Sequence, residues 1–166
     1  MDRKDGGAVI EALHERIDTF FRTAMSEHPS AFHCTPGCTA CCHVDLSVLP
    51  VEATRVRTAF RVLPDPARGS AAGRARAGVH CAMLDDDGRC VVYEARPSIC
   101  RSHGLAVLVD GRIDACPKNY RGETPRRQHV LDLETLNEAI VRVNAATGEL
   151  GLRRTRLADI AIEDRG

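Results

Sequence analysis

The chain contains no tryptophan, and its aromatic residues are limited to Phe20, Phe21, Phe32, Phe60, Tyr93 and Tyr120. This scarcity excludes a core held by large rings and a nucleic-acid surface built on base stacking. Lysine is confined to Lys4 and Lys118, formal net charge is zero, and charged residues make up 28% of the sequence. No field of one sign therefore exists to recruit nucleic acid, a membrane surface or an acidic partner, and any such binding would have to be local. No apolar run approaches the ~18 residues that span a bilayer. The opening Met1–Gly7 is polar and is not followed by the apolar core of an export signal, so a soluble cytoplasmic protein is expected. Glycine-rich phosphate loops, Ser-His-Asp or Cys-His arrangements and internal repeats are also missing. At 166 residues a single domain spanning 1–166 is expected, large enough for a core of its own.

Cysteine, by contrast, is present eight times. That frequency is about half the ~8–10% of short disulfide-stapled secreted scaffolds. Cys41 and Cys42 are adjacent and awkward to bridge to each other, which favours metal ligation over disulfides. Cys34, Cys38, Cys41 and Cys42 fall within nine residues, on a loop that Pro36 and Gly37 can turn back on itself. Cys81, Cys90, Cys100 and Cys116 are spread over the following half of the chain, giving two groups of four by order in the sequence. Neighbouring side chains diverge, so Cys41 and Cys42 are expected to play different roles and to be the place where the groups meet.

The flanking pattern predicts a mainly helical α+β protein with short β-hairpins. Val9, Ile10, Leu13, Ile17, Phe20, Phe21 and Ala24 recur at helical steps, giving an amphipathic helix from Ala8 to about Met25. A second helix is expected from Pro50 to Leu63, stopped by Pro64, with Leu49, Ala53, Val56, Phe60 and Leu63 as its apolar face. The Pro-, Gly-, Ala- and Arg-rich stretch to Gly78 reads equally as a linker or as a helix from Pro66 to Ala77, and its arginines as a solvated face. Asp87-Gly88 and Asp110-Gly111 each lie between apolar segments and signal hairpins, the second delivering Cys116 at the end of its returning strand. The first resembles a calcium loop at Asp85, Asp87, Gly88 and Glu94, but Met83 occupies the position that should be aspartate. Pro97 opens a short helix that carries Cys100 near its N-terminus, where the dipole together with Arg96 and Arg101 should favour the thiolate. Leu131 to Val143 predicts a third long helix ending near Gly148, and Leu150 to Ile162 a short helix or strand covering the core.

Thiolates in this number suit zinc in a closed tetrahedral shell or an iron–sulfur cluster, and ligand type alone does not separate the two. His33, His43, His80 and His103 each lie within three residues of a cysteine, and His103 is the favoured additional ligand. His14 and His28, far from the thiols in sequence, are left outside the site. The spacing Cys34-x3-Cys38-x2-Cys41 matches the cluster motif of radical S-adenosylmethionine enzymes. Only about 120 residues follow it, however, without the alternating strands and helices of their partial barrel.

Taken together, Cys34-x3-Cys38-x2-Cys41-Cys42, Cys81-x8-Cys90-x2-Tyr93-x2-Arg96-Pro97-x2-Cys100-Arg101 and Cys116 resemble the YkgJ-like cysteine-cluster family, a zinc- or iron-chelating domain. The resemblance covers about residues 34 to 120, with a flanking helix at either end. It implies a small bacterial-type metal-binding protein with all eight cysteines as candidate ligands and Tyr93, Arg96, Pro97 and Arg101 as motif support. Many relatives carry an aromatic residue where this chain has His103, a departure that bears on the ligand set. Some relatives are described as iron–sulfur proteins, and flagellin lysine methylases contain a similar cluster. A redox or methyl-transfer enzyme is therefore one alternative, and metal delivery or storage another. No protein partner and no reaction follow from the sequence.

Overall fold

The computed structural model describes residues 3–34, 37–78, 80–148 and 151–163. Pro36, expected to turn the cysteine loop, and Leu150, at the start of the last predicted element, lie outside these residues, as do Met1 and Asp2.

Six α-helices among the described residues carry most of the structure: α1 (Arg3–Glu27), α2 (Pro50–Arg61), α3 (Asp65–Ala77), α4 (Ser98–Ser102), α5 (Leu133–Ala146) and α6 (Leu157–Glu163). Five short strands complete it: β1 (Ser47–Val48), β2 (Ala106–Val109), β3 (Arg112–Ala115), β4 (Val130–Asp132) and β5 (Thr155–Arg156). The protein is thus mainly helical α+β, as its periodicity predicts.

The apolar stripe of α1 supplies Ile10 and Ile17 to a core shared with Leu49 and Val51 of the α2 entry and with Leu136, Ile140 and Val143 of α5. Asn144, fully buried, ties these elements together by accepting from the Val51 amide at 3.1 Å and donating to the Gly151 carbonyl at 3.1 Å. Val51 lies in the first turn of α2, so its amide is one of the donors that a helix start leaves without an internal partner.

A second core joins Val56 and Phe60 of α2, Ala71 of α3, Met83, Val92 and Ile160 of α6. Phe60 is the one aromatic ring wholly inside it, which is how a chain poor in aromatics builds its centre from aliphatics. The ambiguous stretch after Pro64 is helix α3. Its Ala71 and Ala72 are fully buried, and small side chains let α3 lie close to α6 without any strong amphipathic signature. Leu131, read from the sequence as helical, belongs instead to β4, and the helix begins two residues later behind Asp132, whose carboxylate accepts from the Thr135 amide at 2.9 Å.

The Asp110-Gly111 hairpin forms as expected, with β2 and β3 paired antiparallel from Ala106↔Ala115 to Val109↔Arg112. Both turn residues take positive φ, 49° and 72°, the requirement of a tight two-residue turn matched to strand twist. β4 then adds in parallel to the other edge of β2. The Asp87-Gly88 hairpin is smaller, closed by a single Leu84↔Cys90 bridge, with the Asp85 carboxylate accepting from the Asp87 and Arg89 amides. The end of the chain carries both expected alternatives, β5 paired with β1 and then α6. No described helix is long and apolar enough to cross a membrane.

Candidate metal centre

The cysteine loop leaves from a small aromatic ledge. Phe21 and Phe32 lie 5.6 Å apart between ring centroids and Phe32 and Tyr120 5.3 Å, so three of the six aromatic residues meet where Phe32 leads into Cys34. Asn119, 3% exposed, fixes this entry. Its Oδ1 accepts from the His33 and Cys34 amides at 2.8 and 3.1 Å, and its Nδ2 donates to the Gly104 carbonyl at 2.7 Å. Gly104 has φ of 99°, and a Cβ there would stand 3.2 Å from the Phe21 ring and 3.3 Å from Asn119 Nδ2, so only glycine fits. Sequence reading missed Asn119. Its one signal was a position three residues past Cys116 within the cysteine-rich half. Asn119→Ala strands three main-chain groups and is expected to cost about 1–3 kcal/mol in denaturant unfolding. An unchanged midpoint would contradict this role.

Beyond Gly37, whose φ is 88°, the loop winds into one 3₁₀ turn, Ala40–Cys42, which carries both thiols of the doublet close enough to hydrogen-bond to each other rather than on diverging directions. The Cys81 amide then donates to the Cys42 carbonyl at 2.7 Å, joining the loop to the base of the Asp87-Gly88 hairpin. Cys90 is the hairpin's bridging residue, and Cys100 is the third residue of α4.

The arginines of the Tyr-x-x-Arg-Pro-x-x-Cys-Arg segment act as scaffold. Arg96 donates from Nε to the Tyr93 carbonyl at 2.9 Å and stacks over the Tyr93 ring at 3.5 Å. Arg101, 7% exposed, donates from Nε to the Arg96 carbonyl at 2.8 Å, from Nη2 to the Glu94 carbonyl and from Nη1 to the Asp18 carboxylate of α1. Together they fix the turn that delivers Cys100.

The thiols sort by charge into two neighbourhoods that do not follow their order in the chain. Cys34 and Cys38 share a hydrogen bond, and Cys116 lies close enough to raise the Cys34 pKa. Lys118 Nζ stands 3.3 Å from Cys38 Sγ. Burial and the nearby Cys38 push the Cys34 thiol up, whereas the Ala40 amide and Lys118 pull Cys38 down. Cys42, Cys81, Cys90 and Cys100 form the other neighbourhood: Cys42 feels the charge of the other three, Cys100 that of Cys81 and Cys90, and Cys90 that of Cys81. Cys41 adjoins both, entering the surroundings of Cys34 as well as those of Cys81 and Cys100.

Cys100 corrects an expectation. Burial dominates the helix terminus and the arginines, and its pKa is pushed up to about 12 rather than lowered. Burial likewise raises Cys81 and Cys90. Cys41 is raised chiefly by its hydrogen bond to Cys42, which is lowered by the same bond, so the doublet gives up one proton far more readily than two. Offsetting contacts favour charge on sulfur. The Met83, Val92 and Ala40 amides face the sulfurs of Cys81, Cys90 and Cys38 two residues earlier, and Arg96 and Arg74 supply positive charge nearby. Hydrogen bonds from main-chain amides to sulfur are a way a fold supports metal-bound thiolates.

Of the candidate histidines, His103 donates from Nδ1 to the Ile99 carbonyl and His80 from Nδ1 to the Cys81 carbonyl at 3.2 Å. Either bond leaves Nε2 as the lone-pair nitrogen of the neutral ring, the arrangement seen in metal-ligating histidines. His43 is exposed, its ring 6.2 Å from His80, and its Nε2 meets Thr39 Oγ1 at 3.4 Å. His33 is exposed beside Cys34. His14 and His28 are instead bonded to Glu52 at 3.2 Å and Glu123 at 2.6 Å. Among the described residues no three cysteine, histidine or acidic side chains are gathered as a formed ion site. The chemistry of the donors nonetheless fits zinc or iron.

A family model, CxxCxxCC, described as a putative zinc- or iron-chelating domain, matches residues 33–124. No curated protein and no solved structure matches the chain.

Proposed function

The chain belongs to the CxxCxxCC family, and on that premise we propose that it holds a zinc or iron ion through Cys42, Cys81, Cys90 and Cys100. One observation carries the reading. Four thiols from three separate segments lie within reach of one another's charge, with main-chain amides facing two of the sulfurs. Four thiolates satisfy a closed tetrahedral zinc shell, and the same set accepts iron or an iron–sulfur cluster. Cys34, Cys38 and Cys116 form a second donor group, with Cys41 between the two and His103 Nε2 as a further donor. The thiols must stay reduced, as they do in the cytoplasm.

Elemental analysis with an anaerobic absorption spectrum tests this directly. Near-stoichiometric zinc or iron is expected, and finding neither would overturn the proposal. A visible band would identify an iron–sulfur centre and revive the redox or methyl-transfer reading. Exchangeable binding of more than one ion would favour delivery or storage.

Because the buried thiols hold their protons in the absence of metal, uptake must release them. A raised thiol pKa makes protons the stronger competitor, so affinity is highest at high pH and falls as pH is lowered. Competition titrations with a chromophoric chelator should show at least tenfold weaker binding at about pH 6 than at about pH 8. A flat profile would contradict thiolate ligation.

A further inference from the structure

A pocket of about 330 Å³ lies between the Asp45–Glu52 segment, the start of α4, α5 and the segment entering β5. Its size is at the lower end of small-molecule sites. Leu133, Leu136 and Ile140 of α5 give it an apolar wall, and Glu52, Ser98 and Arg154 are among the polar residues that line it, with Asp45, Ser47 and Asn137.

These polar groups are arranged unequally. Glu52, 4% exposed, accepts through one oxygen from both His14 Nε2 at 3.2 Å and the Ser98 amide at 2.6 Å. Burial opposes its charge, but those donors outweigh it and hold the carboxyl below its ordinary range. Ser98 is 1% exposed, and its Oγ makes no hydrogen bond among the described residues, although it lies near enough to Glu52 to favour the carboxylate. A buried hydroxyl without a partner is unusual, and here it belongs to a residue lining a pocket. Arg154, exposed, donates from Nη1 to the Ser47 carbonyl and brings the positive charge. Asp45 also lines the space but is already paired with Arg156 at 2.6 Å.

We propose that this pocket binds a small zwitterion with an apolar body, of the size of a free apolar amino acid. Its ammonium would face Glu52 and Ser98 Oγ, its carboxylate Arg154, and its side chain the leucine and isoleucine wall. Ile99 both lines the pocket and adjoins Cys100, so occupancy would be felt one residue from the thiols.

The test titrates full-length protein with L-leucine, L-methionine and L-alanine, and with isopentylamine and N-acetyl-leucine, which lack the carboxylate and the ammonium respectively. Calorimetry is combined with amide chemical shifts. Leucine or methionine should bind more tightly than alanine, shift the amides of Ser98, Ile99 and Leu136, and lose about tenfold or more in affinity in either truncated analogue. Ser98→Ala removes a hydroxyl whose one influence within the protein is on the Glu52 carboxylate, so its melting temperature should change little while leucine binding weakens. A merely structural serine would not separate these readouts. Arg154→Ala should weaken leucine but leave isopentylamine unchanged. The proposal is overturned if none of the three amino acids binds at millimolar concentration, if the analogues bind equally well, if the shifts map elsewhere, or if binding survives both substitutions. Metal content, measured on the same samples, is independent of these outcomes.

Discussion

Arg101→Ala is expected to destabilise the protein by about 3–5 kcal/mol, the usual consequence of removing one partner of a buried ion pair. The guanidinium is nearly enclosed and makes three separate bonds, to Asp18 on α1 and to the carbonyls of Glu94 and Arg96. Alanine leaves a carboxylate that is only 23% exposed without its counter-charge, together with two carbonyls that lose their donor. Lysine would restore charge but not the planar fork that reaches all three acceptors, so Arg101→Lys should recover only part of the loss. Denaturant unfolding with chelator present isolates the effect from metal. A shift in stability below about 1 kcal/mol would mean that α1 is not anchored to α4 through this residue. Because Cys100 precedes Arg101, the same variant should hold metal less well.

Arg101 also illustrates how far the sequence could be read. Its place in the Tyr-x-x-Arg-Pro-x-x-Cys-Arg segment marked it as important, yet its ion-pair partner is 83 residues away and no local pattern announces that. Signals that depend on neighbours were legible. The stripe of α1, Pro50 at the start of α2 and the Asp110-Gly111 turn each rest on period or turn chemistry, and each appears, although α1 already runs from Arg3 and leaves Val9 of its expected stripe exposed. What escaped depends on distant contacts. The parallel pairing of β4 with β2, the Glu52 bond to the first amide of α4, and Asn119 bridging residues 33, 34 and 104 all join segments between 15 and 86 residues apart. The expected Cys100 thiolate failed for a related reason. A helix terminus and two arginines are visible in the sequence, whereas the burial that outweighs them is a property of the assembled fold. Likewise, chain order set Cys116 with Cys81, Cys90 and Cys100, but the Asn119 and Tyr120 contacts to residues 31–34 carry it toward Cys34 and Cys38.

That sorting makes the second large effect specific. Serine at Cys81, Cys90 or Cys100 is expected to weaken metal binding by more than ~100-fold, beyond the range for merely supporting residues. Serine at Cys34 or Cys116 should leave the tighter metal in place. Each of the first three substitutions removes a sulfur whose replacement hydroxyl is a poor donor to zinc or iron and is harder to deprotonate than a thiol. Cys42→Ser should join them, because the Cys42 carbonyl already holds the Cys81 amide and so joins the two residues at one site. Cys41→Ser is the most informative case. If the doublet divides its labour, losing Cys41 lowers occupancy of the weaker centre, and Cys41→Ala, which unlike serine offers no donor, also removes the hydrogen bond that lowers Cys42, so that thiol should then take up metal with a steeper pH dependence. Metal-to-protein ratios after dialysis against a graded series of chelators would rank these substitutions. Equal losses at Cys34, Cys116, Cys81 and Cys100 would mean that the thiols act as one centre rather than two.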